Sequence, residues 1–252
     1  MSIEQLLILL PAFWLVATLY TSVGHAGASG YLAVMALVAI APATMRPTAL
    51  ALNILVASFT FYRFRKAGYF SWRALWPFLI GSAPLAALGG SLRLTAETYS
   101  ILAGVALALS ALVLAWRAWG GPPPESPGEP ARIPIFPAVV CGAVIGLLSG
   151  LTGTGGGIFL SPIVLLAGWA GPRHTGGITA PFILANSTVA LVAGTASWAA
   201  LPSELPWLIV AVLAGAVAGT WLGIKRLSTR WLLAAMALVL AIAAAKLILV
   251  AQ

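Results

Sequence analysis

Two glycine-rich stretches carry the residues best suited to chemistry: Gly24-His25-Ala26-Gly27-Ala28-Ser29-Gly30 and Gly150-Leu151-Thr152-Gly153-Thr154-Gly155-Gly156-Gly157. Glycine costs a helix interior about 1 kcal/mol relative to alanine, so clusters of this density end helices. The helix leaving each cluster starts with unpaired N–H groups and the positive end of its dipole, which together favour an anion. Ser29, Thr152 and Thr154 add hydroxyl donors. His25 is the only ionisable group within either stretch. It suits proton coupling or anion contact, or the plainer role of a neutral histidine bonded to backbone. A nucleotide loop is poorly supported, because Gly153-x-Gly155-x-Gly157 has neither the dinucleotide-binding spacing nor the Lys-Ser/Thr ending of a phosphate loop.

Further polar residues stand in apolar surroundings. Asn53 and Asn186 fall inside corresponding segments, where each either lines a cavity or bonds a neighbouring helix. Arg46 and Arg173 follow the two glycine stretches at equal separation, placed to steer anions at two mouths or to anchor at the interface. Lys246 is expected to snorkel outward from the last segment.

The elements that must hold these residues follow from composition. Of 252 residues, 61% are hydrophobic and only 7% charged, and mean hydropathy is +1.04. A soluble domain carries about 25% charged residues, so this chain could not cover itself in water. Ten apolar segments are expected, near 4–22, 30–42, 47–62, 73–91, 97–117, 134–149, 157–170, 176–198, 206–223 and 231–250. A helix crossing the hydrocarbon core needs about 20 residues. The pieces flanking the second glycine stretch fall short of that, which predicts a hairpin dipping into the membrane with the glycines at its tip. The first segment, apolar from Met1 to Tyr20, carries Glu4 and no basic leader, and reads as a retained membrane segment.

The net charge of +8 comes from bases lying mostly between apolar runs, so it speaks for membrane topology and against nucleic acid. The chain divides into a first membrane repeat, 1–119, a Pro-, Gly- and Glu-rich cytoplasmic linker, 120–133, and a second repeat, 134–252. Gly30-Tyr31-Leu32 with Arg46 matches Gly157-Ile158-Phe159 with Arg173, and Arg93-Leu94-Thr95 matches Arg226-Leu227-Ser228. Five segments per repeat is an odd number, so the repeats should lie oppositely in the bilayer. The charges agree: Arg63, Arg65, Lys66 and Arg73 follow the third segment of the first repeat, and the corresponding 199–205 has Glu204 and no base. After the fourth segment the bias reverses, with Lys225, Arg226 and Arg230 in the second repeat. The expected fold is therefore all-α and polytopic, two inverted repeats of about five segments, with both termini outside. Glycines four apart, Gly142, Gly146 and Gly150 or Gly215, Gly219 and Gly223, read as helix-packing residues.

The second glycine motif, Leu151-Thr152-Gly153-Thr154-Gly155-Gly156-Gly157-Ile158-Phe159-Leu160-Ser161-Pro162, with its degenerate copy at 24–32, resembles the sulfite exporter TauE/SafE family. The similarity extends through 215–223 and the basic turn beyond, over most of both halves. It implies a multi-helix inner-membrane protein with two repeats that moves sulfite, sulfonates or other small organic anions. In the first copy His25, Ala28 and Ser29 stand where glycine-rich sequence is usual.

Two transport readings follow: a secondary transporter with a midplane anion site opened alternately to each side, with proton coupling through His25, or a passive anion channel using the same turns. Enzymatic chemistry is disfavoured by the absence of Asp and of an HExxH motif and by only two histidines, with His174 expected in a loop. One cysteine, Cys141, allows no disulfide within the chain and no cysteine-rich metal site, and no cofactor is implied.

Overall fold

A computed structural model describes residues 2–120, 133–225 and 230–250. Most of the expected linker, and Arg226 to Ser228, lie outside the described residues. Ten α-helices appear where ten apolar segments were expected: α1 Ile3–Ser22, α2 Ala28–Leu37, α3 Pro42–Lys66, α4 Trp72–Ser91, α5 Ala96–Trp119, α6 Ile135–Thr152, α7 Gly157–Leu166, α8 Pro172–Ala193, α9 Leu205–Lys225 and α10 Arg230–Val250. A 3-10 turn, Thr195–Ala200, follows α8.

Among the described residues six helices are long and apolar enough to cross a bilayer, namely α1, α4, α5, α6, α8 and α9. α2 and α7 have 10 residues each, a rise of about 15 Å against a hydrocarbon core of about 30 Å. They cannot cross. Each pairs instead with the longer helix before it, as the hairpin expectation required. In both, a left-handed glycine opens the short arm: Gly27 at φ 105° and Gly156 at φ 77°.

The third and eighth segments start earlier than expected. Pro42 and Pro172 take the first helical turn, where a missing N–H costs nothing and the fixed φ helps. Hence Arg46 lies one turn inside α3, and His174 is in the first turn of α8 rather than in a loop. There its ring meets Tyr69 edge-on at 5.4 Å. α8 also stops short of the expected 198, at Gly194, whose backbone abuts Gly90.

Packing is set by glycine. α4 and α6 run parallel, with Gly142 against Phe78, Gly146 against Ser82 and Gly150 against Ala86. α9 lies against α1 in the same way, Gly215 on Trp14 and Gly219 on Thr18. Lipid offers no hydrophobic drive to bring helices together, so close backbone approach supplies the attraction. The centre is an antiparallel pair, α3 and α8, in which Asn53 meets Ser187 and Phe64 meets Gly176. α6 ends beside the start of α3, where Gly153 rests on Arg46. α1 ends beside the start of α8, where Gly24 rests on Gly176. The two long hairpin arms thus approach the central pair from opposite ends.

A Cβ on Gly146 would lie 2.6 Å from Ser82 Cα. Gly146→Val should therefore prevent α4 and α6 from closing and destabilise the fold by about 3 kcal/mol or more. Val144→Leu, on the 56%-exposed lipid face, should be neutral. Thermal unfolding of both variants in detergent checks this, and equal midpoints would contradict it.

Candidate functional site

The hairpin tips pass one another instead of meeting end to end. Gly24 and Gly153 pack at opposite ends of the α3–α8 pair, and between them the chains overlap through one side chain. His25, 3% exposed, leaves the first tip and reaches the first turn of α7. Its Nε2 lies 3.1 Å from the Gly157 carbonyl oxygen and 2.9 Å from Ser161 Oγ. Ser161 Oγ is in turn 3.0 Å from Thr179 Oγ1 on α8. The Gly157 oxygen can only accept, so that contact is a hydrogen bond when Nε2 carries the proton. A polar chain therefore links the first tip, α7 and α8 in the buried centre.

The second tip is the more open of the two in chemical terms. Gly153, Gly155 and Gly156 all adopt left-handed φ, at 82°, 76° and 77°. Among the described residues no backbone carbonyl accepts from the N–H groups of Gly155, Gly156, Gly157 or Ile158. All four residues are buried, at or just before the first turn of α7. The surroundings are uncharged: Gly155 lies against Asn53 Nδ2, Ile183 and Ser187 Oγ, Gly156 against Ile145, Phe182 and the Ser149 Cβ, and Gly157 against Ile183 and Thr179. Asn53 Nδ2 donates to Ser187 Oγ at 3.3 Å, which leaves Asn53 Oδ1 without a partner. Thr154 Oγ1 lies 3.0 Å from Thr152 Oγ1, which itself lies 2.7 Å from the Leu148 carbonyl oxygen. With one proton per hydroxyl, a Thr152 that donates to Leu148 must accept from Thr154.

The first tip is filled differently. Positions Gly27 and Gly30 press on Val16, Tyr20 and Tyr31. Tyr31 OH donates to the Ala26 carbonyl at 2.7 Å, and Tyr20 OH pairs with Ser29 Oγ at 2.8 Å. Ser29 thus joins the two arms of its own hairpin.

The two arginines are not equivalent. Arg46, 8% exposed, donates from Nη1 to the Leu92 carbonyl and from Nη2 to those of Gly89 and Gly90, at 3.1, 2.8 and 2.6 Å. It caps the carbonyl end of α4, where a cation is favoured. Arg173 sits in the first turn of α8, donates to Tyr69 OH at 3.1 Å and lies 5.7 Å above that ring. The residue of α8 that matches Arg46 is Gly176, because Gly24 rests on it as Gly153 rests on Arg46. The equal sequence separation misleads because Gly157 opens α7, whereas Gly30 is the third residue of α2.

Arg46 and Tyr99 also form part of the wall of a cavity of ≈ 570 Å³, together with Pro42, Ser91, Arg93 and Gly194. Tyr99 OH donates to the Thr152 carbonyl at 3.2 Å, so this vestibule is separated from the second tip by Arg46 and Tyr99. Lys246 does not simply reach outward; its Nζ donates to the Leu37 carbonyl at 2.9 Å and caps α2.

Ser161, Thr179, Tyr20 and Tyr99 join the site although sequence reasoning passed over them. Ser161 could have been found as the residue one turn beyond Gly157. Thr179 and Tyr99 carry no local signal. Asn186 is fully buried, and neither its Oδ1 nor its Nδ2 has a partner. Among the described residues no group of His, Cys, Asp and Glu could hold a metal ion.

Arg46→Ala would strip three carbonyls of their donor at a buried helix end, a loss of about 3 kcal/mol. Arg46→Lys should recover part of it, since an ammonium lacks the planar fork. Thermal unfolding of the purified variants reads both, and an unshifted alanine variant would refute the capping role.

The chain matches the model of the family described as sulfite exporter TauE/SafE over residues 9–247. It is 41% identical over 242 residues to the probable membrane transporter protein y4hK of Sinorhizobium fredii (strain NBRC 101917 / NGR234), covering 94% of this chain and 96% of the relative. No solved structure is detectably similar. With a match spanning nearly its whole length, this multi-pass membrane protein belongs to the sulfite exporter TauE/SafE family and is a transporter rather than an enzyme.

Proposed function

We propose that this protein is a secondary transporter, working as an exporter, for a small anion such as sulfite or an organosulfonate across the bacterial plasma membrane. The anion binds at the start of α7, on the N–H groups of Gly155, Gly156 and Gly157, flanked by Asn53, Ser187 and Thr154. One observation carries this reading: backbone N–H groups that meet no backbone carbonyl among the described residues lie buried at a helix N-terminus in uncharged surroundings, with Asn53 and Ser187 against Gly155. The five acids of the sequence are Glu4, Glu97, Glu125, Glu129 and Glu204, none of them on α3, α6, α7 or α8. Oriented N–H dipoles hold an anion without the desolvation cost of burying a full positive charge. Binding of that kind is firm enough to select and weak enough to release.

The halves act as inverted repeats. Support comes from the opposite approach of α1 and α6 to the central pair, and from matched packing, α1 on α9 and α6 on α4. With Arg63, Arg65 and Lys66 at the cytoplasmic end of α3, the vestibule at the other end of α3 faces outward. Arg93, exposed in its wall, raises the local anion concentration there. Access alternates as one half moves against the other, and His25, which joins them, is placed to carry a coupled proton.

Proteoliposomes loaded with radiolabelled sulfite or a sulfonate, with and without a pH gradient, test this. The expected flux saturates, responds to the gradient and falls about tenfold or more in Asn53→Leu, which deletes a polar neighbour of the bound ion. Gly156→Ala is a poor probe, since its left-handed φ and the crowding by Ile145 would disturb the fold itself. No flux for any small anion defeats the proposal, and flux that fails to saturate points to a passive channel.

A further inference from the structure

The vestibule at the start of α3 is lined by two guanidiniums, Arg46 and Arg93, and by no acidic residue. Glu97 follows Ala96 in the first turn of α5 but is not part of the wall. The hydrogen bonds of Arg46 to the carbonyls of Gly89, Gly90 and Leu92 use three of its five N–H groups, so two remain for another acceptor. Arg93 is exposed and has no hydrogen-bond or ion-pair partner among the described residues.

Four helix ends reach the same wall, and their dipoles are treated unequally. α3 contributes Pro42 and Ala43, and α5 contributes Ala96; these are the first residues of each helix, at its positive end. Among the described residues the N–H groups of Ala43 and Ala96 have no backbone acceptor. Thr95, the N-cap of α5, accepts from the Thr98 N–H rather than from that of Ala96. The negative ends belong to α4, at Gly90 and Ser91, and α8, at Ala193. Both have side-chain donors. Arg46 takes three carbonyls at the end of α4, and Trp198 Nε1 donates to the Leu191 carbonyl of α8 at 2.9 Å. The negative ends are thus partly neutralised, and the balance of the wall is positive.

Size and the rest of the wall decide the kind of anion. A volume of ≈ 570 Å³ falls in the range of about 300–1,000 Å³ that holds small organic ligands. A bare oxyanion would leave most of it to water. Leu92, Leu94, Ala193 and Ala200 add apolar surface, which an inorganic ion cannot use. We propose that the vestibule is a second anion site, separate from the start of α7, for a small organic anion. Its acidic head lies on Arg46 and Arg93, and its apolar body on those four residues. Arg46 and Tyr99 stand between the two sites. The site rests on the cavity and its charges; only the role of its occupant as cargo rests on the transport reading.

Thermal unfolding in lipid nanodiscs tests this, with propanesulfonate and sulfite each titrated against chloride at equal ionic strength. The protein used is Asn53→Leu, in which the α7 site has lost a polar neighbour; Asn53→Ala takes its place if the leucine variant does not fold. Propanesulfonate at about ten times its Kd should raise the midpoint by roughly 3–5 °C, and sulfite at the same concentration by about half of that or less. Adding Arg93→Gln, an exposed change, should weaken the apparent affinity about threefold. Adding Ala96→Glu, which places a carboxylate where the α5 dipole favours one, should weaken it about tenfold or more. No rise with propanesulfonate overturns the proposal, and an equal rise with sulfite overturns the ligand class. An affinity unchanged by both added variants overturns the location. Absence of sulfonate flux in wild-type proteoliposomes, with this rise intact, defeats the transport reading alone.

Discussion

Lipid accepts no hydrogen bonds, and from that single constraint the rest of this structure follows. A helix broken inside the bilayer leaves N–H and C=O groups that only protein, water or a ligand can satisfy. This chain breaks two hairpins there, at 23–27 and 153–156, and handles the breaks differently. At the first, aromatic side chains crowd the glycines, and Tyr31 and Tyr20 take up the Ala26 carbonyl and the Ser29 hydroxyl. At the second, Gly155 lies against Asn53 and Ser187, Gly156 against Ile145 and Phe182, Gly157 against Ile183, and Gly153 rests on Arg46. The first break pairs its polar groups with tyrosine hydroxyls, and at the second the N–H groups of Gly155 to Ile158 meet no backbone carbonyl among the described residues.

Glycine makes both outcomes affordable, in two distinct ways. At Gly153, Gly155 and Gly156 it supplies left-handed backbone that an L side chain resists. At Gly142, Gly146, Gly215 and Gly219 the backbone is ordinary helix, and what matters is the missing Cβ, which lets parallel helices touch through their main chains. The second use holds each hairpin's long arm rigidly, α6 on α4 and α1 on α9, so that the first use can be tolerated at the tip. Strained and unpaired backbone persists only where its surroundings over-determine it.

Much of this was legible in the sequence, for reasons of scale. Ten apolar segments and two glycine clusters are long-range compositional signals, and all ten helices appear. Register was less legible. Pairing Gly30 with Gly157 made Arg46 and Arg173 equivalent, but the helix starts are set by Pro42 and Pro172, and the matched pair is Arg46 and Gly176. The role of Arg46 was invisible because its partners are carbonyls of Gly89, Gly90 and Leu92, which no side-chain pattern marks. Thr179 and Tyr99 reach the site through contacts 18 and 53 residues away in sequence, beyond any local periodicity.

The mismatch between Arg46 and Gly176 also bears on how the two faces differ. Where the second tip nears its end of the central pair, a guanidinium stands between it and α4 and borders a vestibule. At the opposite end, glycine lets Gly24 and Gly176 touch through their backbones, beneath Phe64 and beside the Tyr69–Arg173 contact. A side chain as long as arginine cannot be compressed, and a glycine contact leaves nothing to compress. At one end a buried arginine stands between the tip and α4, and at the other the two backbones touch directly. His25 spans the interval between them, bonding the Gly157 carbonyl at the point where the two tips overlap. Any motion that drew the first tip away from α7 would have to break or carry that bond.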